Sequence, residues 1–179
     1  MALFIGALLA VVILVVAGDC KPKYDLTESA FTAKMTRRID ASPTKNTPIV
    51  FDLLLTNIGN DYNAKNGKFT TRIAGTYVFS LSLMSKSSPS KIAFGCLQKN
   101  GKEQLCVWSN GNNTKEMSSN MITINLKKGD VVDNVLKAGN NYALNNYGQA
   151  GYCSFTGFLL YPEVSVLEKL FKTIDTLSK

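Results

Sequence analysis

The stretch between residues 51 and 83 constrains the fold most, because it joins strand patterns to residues that reverse the chain. Asn, Gly and Asp are frequent from residue 57 to residue 67, and these residues tolerate left-handed backbone and interrupt strands. Beyond Gly75, large apolar side chains occupy every second position, at Tyr77, Phe79, Leu81 and Leu83. A period of two places them on one face of a strand. We therefore expect this face to belong to a β-sheet core.

The rest of the chain up to residue 162 repeats this pattern of short strands and turns. Residues 49–55 are apolar except for Asp52, and this run predicts a strand covered on both faces. Asn100 and Gly101 predict a hairpin turn between strands at residues 92–98 and 103–108. Further strands are predicted at residues 30–35, 69–73, 121–126, 131–136 and 154–162, and polar loops at residues 41–48, 109–119 and 137–151. Such a series, uninterrupted by a helical period, is typical of an all-β sandwich.

A set of aromatic, glycine and polar positions within this series has the pattern of one known family: Phe51, Asp52, Asn57, Gly59, Tyr62, Gly67, Phe69, Gly75, Tyr77 and Phe79. Together with the closing run at residues 154–162, they resemble the globular head domain of complement C1q. The resemblance implies a ten-stranded jelly-roll sandwich of the C1q and tumour-necrosis-factor type, a homotrimer, and ligand binding without catalysis. The core and trimer positions that it implies are Phe51, Tyr62, Phe69, Tyr77, Phe79, Phe155, Phe158 and Tyr161.

Composition and the resemblance together divide the chain into four parts. Residues 2–18 are apolar and uncharged, so we predict that residues 1–18 are a signal peptide and that the protein is secreted and extracellular. An uncleaved anchor is the alternative; seventeen residues are at the short limit for a span, so we expect no stable membrane span. Residues 19–29 are a polar leader without a collagen-like repeat. Residues 30–162 are the predicted C1q domain.

Residues 163–179 are a C-terminal extension with a different period. Apolar residues recur there at every third or fourth position, which predicts a short amphipathic helix. A helix of about four turns is marginal on its own. We expect it to dock on its own domain, to associate around the trimer axis, or to contact a membrane.

The absence of histidine excludes several classes of enzyme. Without an imidazole the chain cannot form a Ser-His-Asp site, a Cys-His site or a zinc site that needs histidine ligands. Four aspartates fall at predicted strand ends and turns, where capping and solvation account for them: Asp52, Asp61, Asp130 and Asp133. We therefore predict neither enzymatic activity nor a cofactor.

Charge and hard-cation chemistry limit the ligands further. The net charge of +7 favours acidic partners such as acidic glycans. The lysines are dispersed and the protein is predicted to leave the cell, so nucleic acid is not an expected partner. Some members of the resembling family hold calcium just after the second hairpin cysteine. Val107 and Trp108 occupy those positions here and offer no oxygen ligand, so no metal site is predicted.

The four cysteines fall into one predicted pair and two single thiols. Cys96 and Cys106 lie on the two arms of the hairpin, nearly equidistant from its turn, so we predict a disulfide between them. A two-residue turn alone would place Cys96 opposite Leu105, so a bulge or a wider turn is expected. If the first and last strands pair antiparallel, Cys20 and Cys153 lie at opposite ends of a sheet. We expect Cys153 to be a buried free thiol and Cys20 to be free or to link two chains.

The function predicted from these features is lectin-like recognition of glycans or microbial surface patterns by a trimeric head in innate immunity. The alternative is a structural matrix component or a cytokine-like trimeric ligand of a protein receptor. Loops at the ends of a sandwich are the expected binding elements, and the candidate residues in them are Asn110, Asn112, Lys115, Lys137, Asn141, Tyr142 and Tyr147. Asn112 also begins a glycosylation sequon. Trp108 is assigned to the core or an interface rather than to a sugar platform.

Overall fold

Thirteen strands account for the regular structure in the computed structural model, which describes residues 28–88, 91–110, 114–146 and 150–163. The predicted signal peptide, most of the leader and all of the C-terminal extension beyond Glu163 lie outside these residues. The strands are β1 (Ala30–Lys34), β2 (Ile39–Asp40), β3 (Thr47–Pro48), β4 (Leu53–Ile58), β5 (Tyr62–Asn63), β6 (Lys68–Thr70), β7 (Gly75–Met84), β8 (Ile92–Lys99), β9 (Lys102–Asn110), β10 (Met117–Leu126), β11 (Val131–Leu136), β12 (Ala143–Leu144) and β13 (Ser154–Pro162).

Two antiparallel sheets form the sandwich. The five-stranded sheet has the order β10-β7-β13-β1-β4, and the six-stranded sheet has the order β5-β6-β11-β8-β9, with β3 also paired to β11. The chain alternates between the sheets, as in a jelly roll, which confirms the predicted all-β class. The predicted count of ten strands is too low. Strands β2, β3 and β12 have only two residues each. Strands β3 and β12 lie within residues 41–48 and 137–151, whose polar composition predicted loops, and β2 directly precedes the first of these segments.

Aromatic rings fill the space between the sheets. The ring of Phe31 stacks on Tyr62 with 4.5 Å between centroids, and Phe155 meets it edge-on at 4.9 Å. Phe69 and Phe79 complete the group around Phe31. The four alternating residues of β7 are fully buried, as their period predicted.

The core and trimer positions that the resemblance implied fall into two groups. Six are buried between the sheets: Phe51, Tyr62, Phe69, Tyr77, Phe79 and Phe155. Phe158 and Tyr161 are exposed on β13. The two exposed positions are therefore available for contacts outside the single chain.

The apolar run at residues 49–55 does not form the predicted strand covered on both faces. Ile49 and Phe51 are buried but precede strand β4, which begins at Leu53. Leu54 and Leu55 are exposed because β4 is the edge strand of the five-stranded sheet. A run that is apolar at nearly every position has no period that assigns its residues to faces. Here it divides between a buried crossing segment and an exposed edge strand.

The hairpin of β8 and β9 has the predicted disulfide. Asn100 and Gly101 have positive φ angles of 50° and 76° at its turn. The register shifts after Leu97, so that Gln104 is left out of the ladder and Cys96 stands opposite Cys106. Their Cα atoms are 4.1 Å apart and the two sulfurs are bonded. The bulge expected from the spacing is therefore present.

Cys153 is a buried free thiol, as predicted. The N–H of Met84 donates to its Sγ at 3.2 Å, and its own thiol lies 3.4 Å from the carbonyl oxygen of Asn145. Strands β1 and β13 pair antiparallel, so Cys153 lies at the far end of the sheet from the start of β1. Burial raises the pKa of the Cys153 thiol from 9.0 to about 11.

We expect the stability of the protein to fall as the pH rises from 9 to 11, because the unfolded chain ionises Cys153 in this window while the folded chain keeps its proton. Burial also raises the pKa of Tyr62 and Tyr77, which extends the loss to higher pH. The contribution of Cys153 should be about 2–3 kcal/mol by pH 11. Denaturant unfolding curves, recorded at several pH values for the original protein and for Cys153→Ala, measure this contribution. Equal slopes in the two proteins between pH 9 and 11 would contradict the assignment.

Candidate binding site

The connections after β7, β9 and β11 lie at one end of the sandwich, which we call the loop end. The chain enters β1 and leaves β13 at the other end, where Ala30 pairs with Phe158 and Gly75 with Pro162. Loops carried on a rigid sandwich are the usual place for binding residues. We therefore expect the predicted binding residues to lie at the loop end.

Three aromatic side chains form a cluster on the outer face of the six-stranded sheet, which we call the aromatic platform: Phe94, Trp108 and Tyr142. Phe94 on β8 stands opposite Trp108 on β9, with 5.2 Å between ring centroids. The Tyr142 ring lies 5.4 Å from Phe94 and 6.2 Å from Trp108, in edge-to-face contact with both. Trp108 is 51% exposed, so part of its indole remains open to solvent.

Backbone pairing holds Tyr142 in the platform. The N–H of Ile92 donates to the carbonyl of Asn141 at 2.9 Å, and the N–H of Ala41 donates to the carbonyl of Tyr142 at 3.0 Å. Strand β12, which follows directly, pairs with β2. Hydrogen bonds on both sides therefore hold the backbone at Tyr142, so the position of its ring does not depend on side-chain packing alone.

Polar groups surround the platform. Asn110 pairs with Ile92, two residues along β9 from Trp108 and on the same face. Lys137 donates its backbone N–H to the carbonyl of Phe94, and its ammonium group pairs with the carboxylate of Glu103. Lys91 donates from Nζ to the carbonyl of Asn140 at 2.7 Å. Asn110, Lys137 and Lys91 therefore lie beside the platform, and both ammonium groups already have partners.

The structure brings four of the seven predicted binding residues to this one place: Asn110, Lys137, Asn141 and Tyr142. Lys115 lies elsewhere, in a cleft with Met84, Met117 and Tyr152 at the start of β10. Asn112, the sequon residue, and Tyr147 lie outside the described residues.

Of the two places predicted for Trp108, the core is wrong, because half of its surface is exposed; a place at an interface stays a prediction. Its position at the end of a long strand suggested burial, but β9 is the edge strand of the six-stranded sheet and its outward residues meet solvent. Phe94 was not among the predicted binding residues. The hairpin register, which the disulfide fixes, contained the necessary signal, since it sets Phe94 opposite Trp108 on the outer face.

Asp61 and Asp130 have structural partners. Asp61 accepts from Ser29 Oγ at 2.7 Å and from Arg72 Nε at 3.2 Å. Asp130 accepts from the N–H of Lys127 and from Asn100 Nδ2, both at 2.8 Å. These two lie at turns, as predicted. Asp133 does not, because it is in the middle of β11, where burial raises its pKa.

Metal ligands converge at a single place within the described part of the chain. The Sγ atoms of Cys96 and Cys106 and a carboxylate oxygen of Glu103 lie within 4.8 Å of one another. Both sulfurs are in the disulfide, and Glu103 is paired with Lys137. This group therefore has no thiolate to offer a metal ion.

Taken together, the alternation of the chain between two antiparallel sheets and the aromatic core define a jelly-roll domain that presents loops and an open aromatic face at one end. A family model described as the C1q domain matches residues 30–160. The chain belongs to the C1q domain family.

Relatives in sequence cover the same region. Complement C1q and tumor necrosis factor-related protein 9 of mouse is 33% identical over 134 residues, which are 75% of this chain and 39% of the relative. Caprin-2 of zebrafish is 32% identical over 142 residues, 78% of this chain and 15% of the relative. The chain thus spans less than half the length of these curated relatives.

Solved structures share the fold. The globular domain of zebrafish complement 1qA protein superposes with a TM-score of 0.60 at 22% identity, covering 75% of this chain and 99% of that chain. The Eiger TNF structure from S. frugiperda gives a TM-score of 0.57 at 11% identity, covering 78% of this chain and 97% of that chain. At these identities the comparison establishes the fold alone. Within the described residues, no helix is long and apolar enough to cross a membrane.

Proposed function

We propose that this chain is a secreted, lectin-like recognition protein that binds glycans of cell or microbial surfaces through a trimeric head, in innate immunity. The aromatic platform is the observation that supports this most directly. A half-exposed indole supported edge-on by two further rings presents a flat apolar surface, and two asparagines, Asn110 and Asn141, lie beside it, where the backbone of each pairs with Ile92. Aromatic surfaces with a few oriented polar groups are typical of sites for small ligands.

The outer face of the five-stranded sheet supports assembly of the head. The register places Ile58, Ala30, Phe158 and Val78 side by side across four neighbouring strands. Phe158 and Ile58 are 40% and 46% exposed, and this row contains no charged residue. An uncharged apolar band on a sheet face is typical of an interface between subunits.

Repetition would supply most of the binding energy. A single platform is small and open, so its affinity for one sugar is expected to be modest. Three platforms carried on one trimer engage a multivalent surface with a much higher effective concentration. The net charge of +7 adds attraction to acidic surfaces.

We expect Trp108→Ala to weaken binding of a single soluble glycan by about 10- to 100-fold, the loss that accompanies removal of an aromatic hot spot. A glycan and microbial-surface screen on the purified, mass-verified oligomer identifies the ligand first, and calorimetry then compares the variants. Trp108→Phe is the matched control, since it keeps a ring against Phe94 and Tyr142 and should retain most of the affinity. Circular dichroism should show that all three proteins are folded, because Trp108 is half exposed.

The site and the function can be rejected separately. Unchanged glycan binding in Trp108→Ala would remove the platform from recognition. Saturable binding to one cell-surface protein that added sugars do not reduce would reject the lectin-like function and favour the cytokine-like alternative.

A further inference from the structure

A second cleft shares no lining residue with the aromatic platform. It has a volume of 450 Å³ and is bounded by the segment between β1 and β4 and by the turn between β5 and β6. Apolar side chains, among them Ile39, Val50 and Ala64, line part of it. The cationic side chains Arg37, Arg38 and Lys65 stand around them. A volume of this size falls within the usual range for small-ligand sites.

One carboxylate, that of Asp52, also lies in this cleft. It is already engaged: the N–H of Thr36 donates to Oδ1 at 2.8 Å, and the Thr36 hydroxyl donates to Oδ2 at 2.6 Å. Arg37 Nε lies 3.7 Å from Oδ2. Burial acts to raise the pKa of Asp52, but these hydrogen bonds and Arg37 outweigh it and lower the pKa, so the carboxylate stays ionised at neutral pH. The cleft therefore has three positive charges against one negative charge.

The remaining cations have no carboxylate of their own. Within the part of the chain that the structure describes, neither Arg38 nor Lys65 forms an ion pair. Arg37, despite its approach to Asp52, is 85% exposed. An excess of two positive charges beside an apolar wall attracts an anion that also has an apolar surface.

Two independent segments hold the backbone at these cations. Arg38 directly precedes β2, which pairs with β12. Lys65 lies in the turn between β5 and β6, where its N–H donates to Asn63 Oδ1 at 2.9 Å. That turn closes on Gly67, whose φ is +73° and where an added Cβ would lie 2.8 Å from the carbonyl oxygen of Ile49. The turn is thus held closely against the segment that forms the cleft wall, which lowers the cost of ordering the site on binding.

We propose that this cleft binds a sugar carboxylate, the uronic acid of an acidic glycan, with Arg37, Arg38 and Lys65 around the carboxylate and Val50 and Ile39 against the C–H face of the ring. Arginine favours this ligand because its planar fork matches the two oxygens of a carboxylate. The inference extends the proposed function, because it rests on glycan binding and names an acidic sugar class for a site separate from the aromatic platform.

Calorimetry with free glucuronate and with a glucuronate-containing disaccharide tests the proposal. The same disaccharide with its carboxyl group reduced is the neutral control ligand. We expect the intact protein to bind the acidic disaccharide at least about 10-fold more tightly than the neutral one. The double variant Arg38→Gln, Lys65→Gln should lose this preference. Lys127→Gln, Lys128→Gln is the matched control, because it removes the same charge from the turn between β10 and β11, at the opposite end of the sandwich from the loops.

Two outcomes would overturn the proposal: no preference for the acidic disaccharide, or an equal loss in the Lys127/Lys128 control, which would assign the preference to overall charge.

Failure of this site is distinguishable from failure of the proposed function. If neutral glycans bind in a Trp108-dependent manner while glucuronate does not bind, only the cleft assignment is wrong. Because free glucuronate does not need the platform, its binding reports the cleft even if Trp108→Ala has no effect on neutral glycans.

Discussion

Replacing Phe158 with lysine is expected to separate the head into single chains and to weaken binding to a multivalent glycan surface by about 10²- to 10⁴-fold. Phe158 lies in the uncharged row that crosses the five-stranded sheet, opposite Ala30 and Val78. Three buried ammonium groups would face one another at such an interface without partners, which is strongly unfavourable. Affinity for one soluble glycan should be unchanged, because the aromatic platform belongs to the other sheet.

Solution mass and surface binding are measured together for this variant. Tyr152→Lys is a suitable control, since Tyr152 is 41% exposed against 40% for Phe158 and lies outside both the row and the aromatic platform. The control should keep the mass and the surface affinity of the original protein. A Phe158→Lys protein that keeps its oligomeric mass would show that the subunits meet through a different surface.

Replacing Phe31 with alanine is expected to lower the free energy of unfolding by about 3–5 kcal/mol, the usual cost of removing a buried phenylalanine ring. Phe31 is 1% exposed, and its ring contacts Tyr62, Phe69, Phe79 and Phe155 from both sheets. Its loss leaves a cavity where the two layers meet, and four rings lose their common neighbour.

Denaturant unfolding at one fixed protein concentration measures this change, because association also contributes to stability. Phe31→Leu, which fills most of the same space, should cost much less. A loss below about 1 kcal/mol for the alanine variant would mean that the surrounding rings collapse into the space.

The core could be predicted from the sequence because its signal is local. Tyr77, Phe79 and Leu81 follow the period of a strand, and the spacing of Cys96 and Cys106 around the hairpin turn was enough to predict both the disulfide and the bulge. Pairings between distant polar segments have no such local pattern. Ala143 and Leu144 pair with Asp40 and Ile39, about a hundred residues away, although residues 143 and 144 fall in a predicted loop and residues 39 and 40 directly precede another.

The candidate site was predictable only in part, for a related reason. Asn110, Asn141 and Tyr142 were found because they lie in polar loops, but the sequence could not show that all three meet around Ile92. The exposure of Trp108 could not be predicted because it depends on which strand lies at the sheet edge, a property of the whole topology. Arg37 and Arg38 are neighbours in the sequence, but only the fold brings Lys65 to the same cleft.

The bond between Cys96 and Cys106 has a consequence for where this protein can act. Side chains alternate along a strand, so a slip of one residue in the hairpin would turn Trp108 inward and expose Val107 in its place. The covalent link forbids that slip, and it persists in oxidising surroundings and is lost in reducing ones. The orientation of the indole is therefore tied to the thiol chemistry of its environment, and an oxidising environment keeps it turned toward solvent.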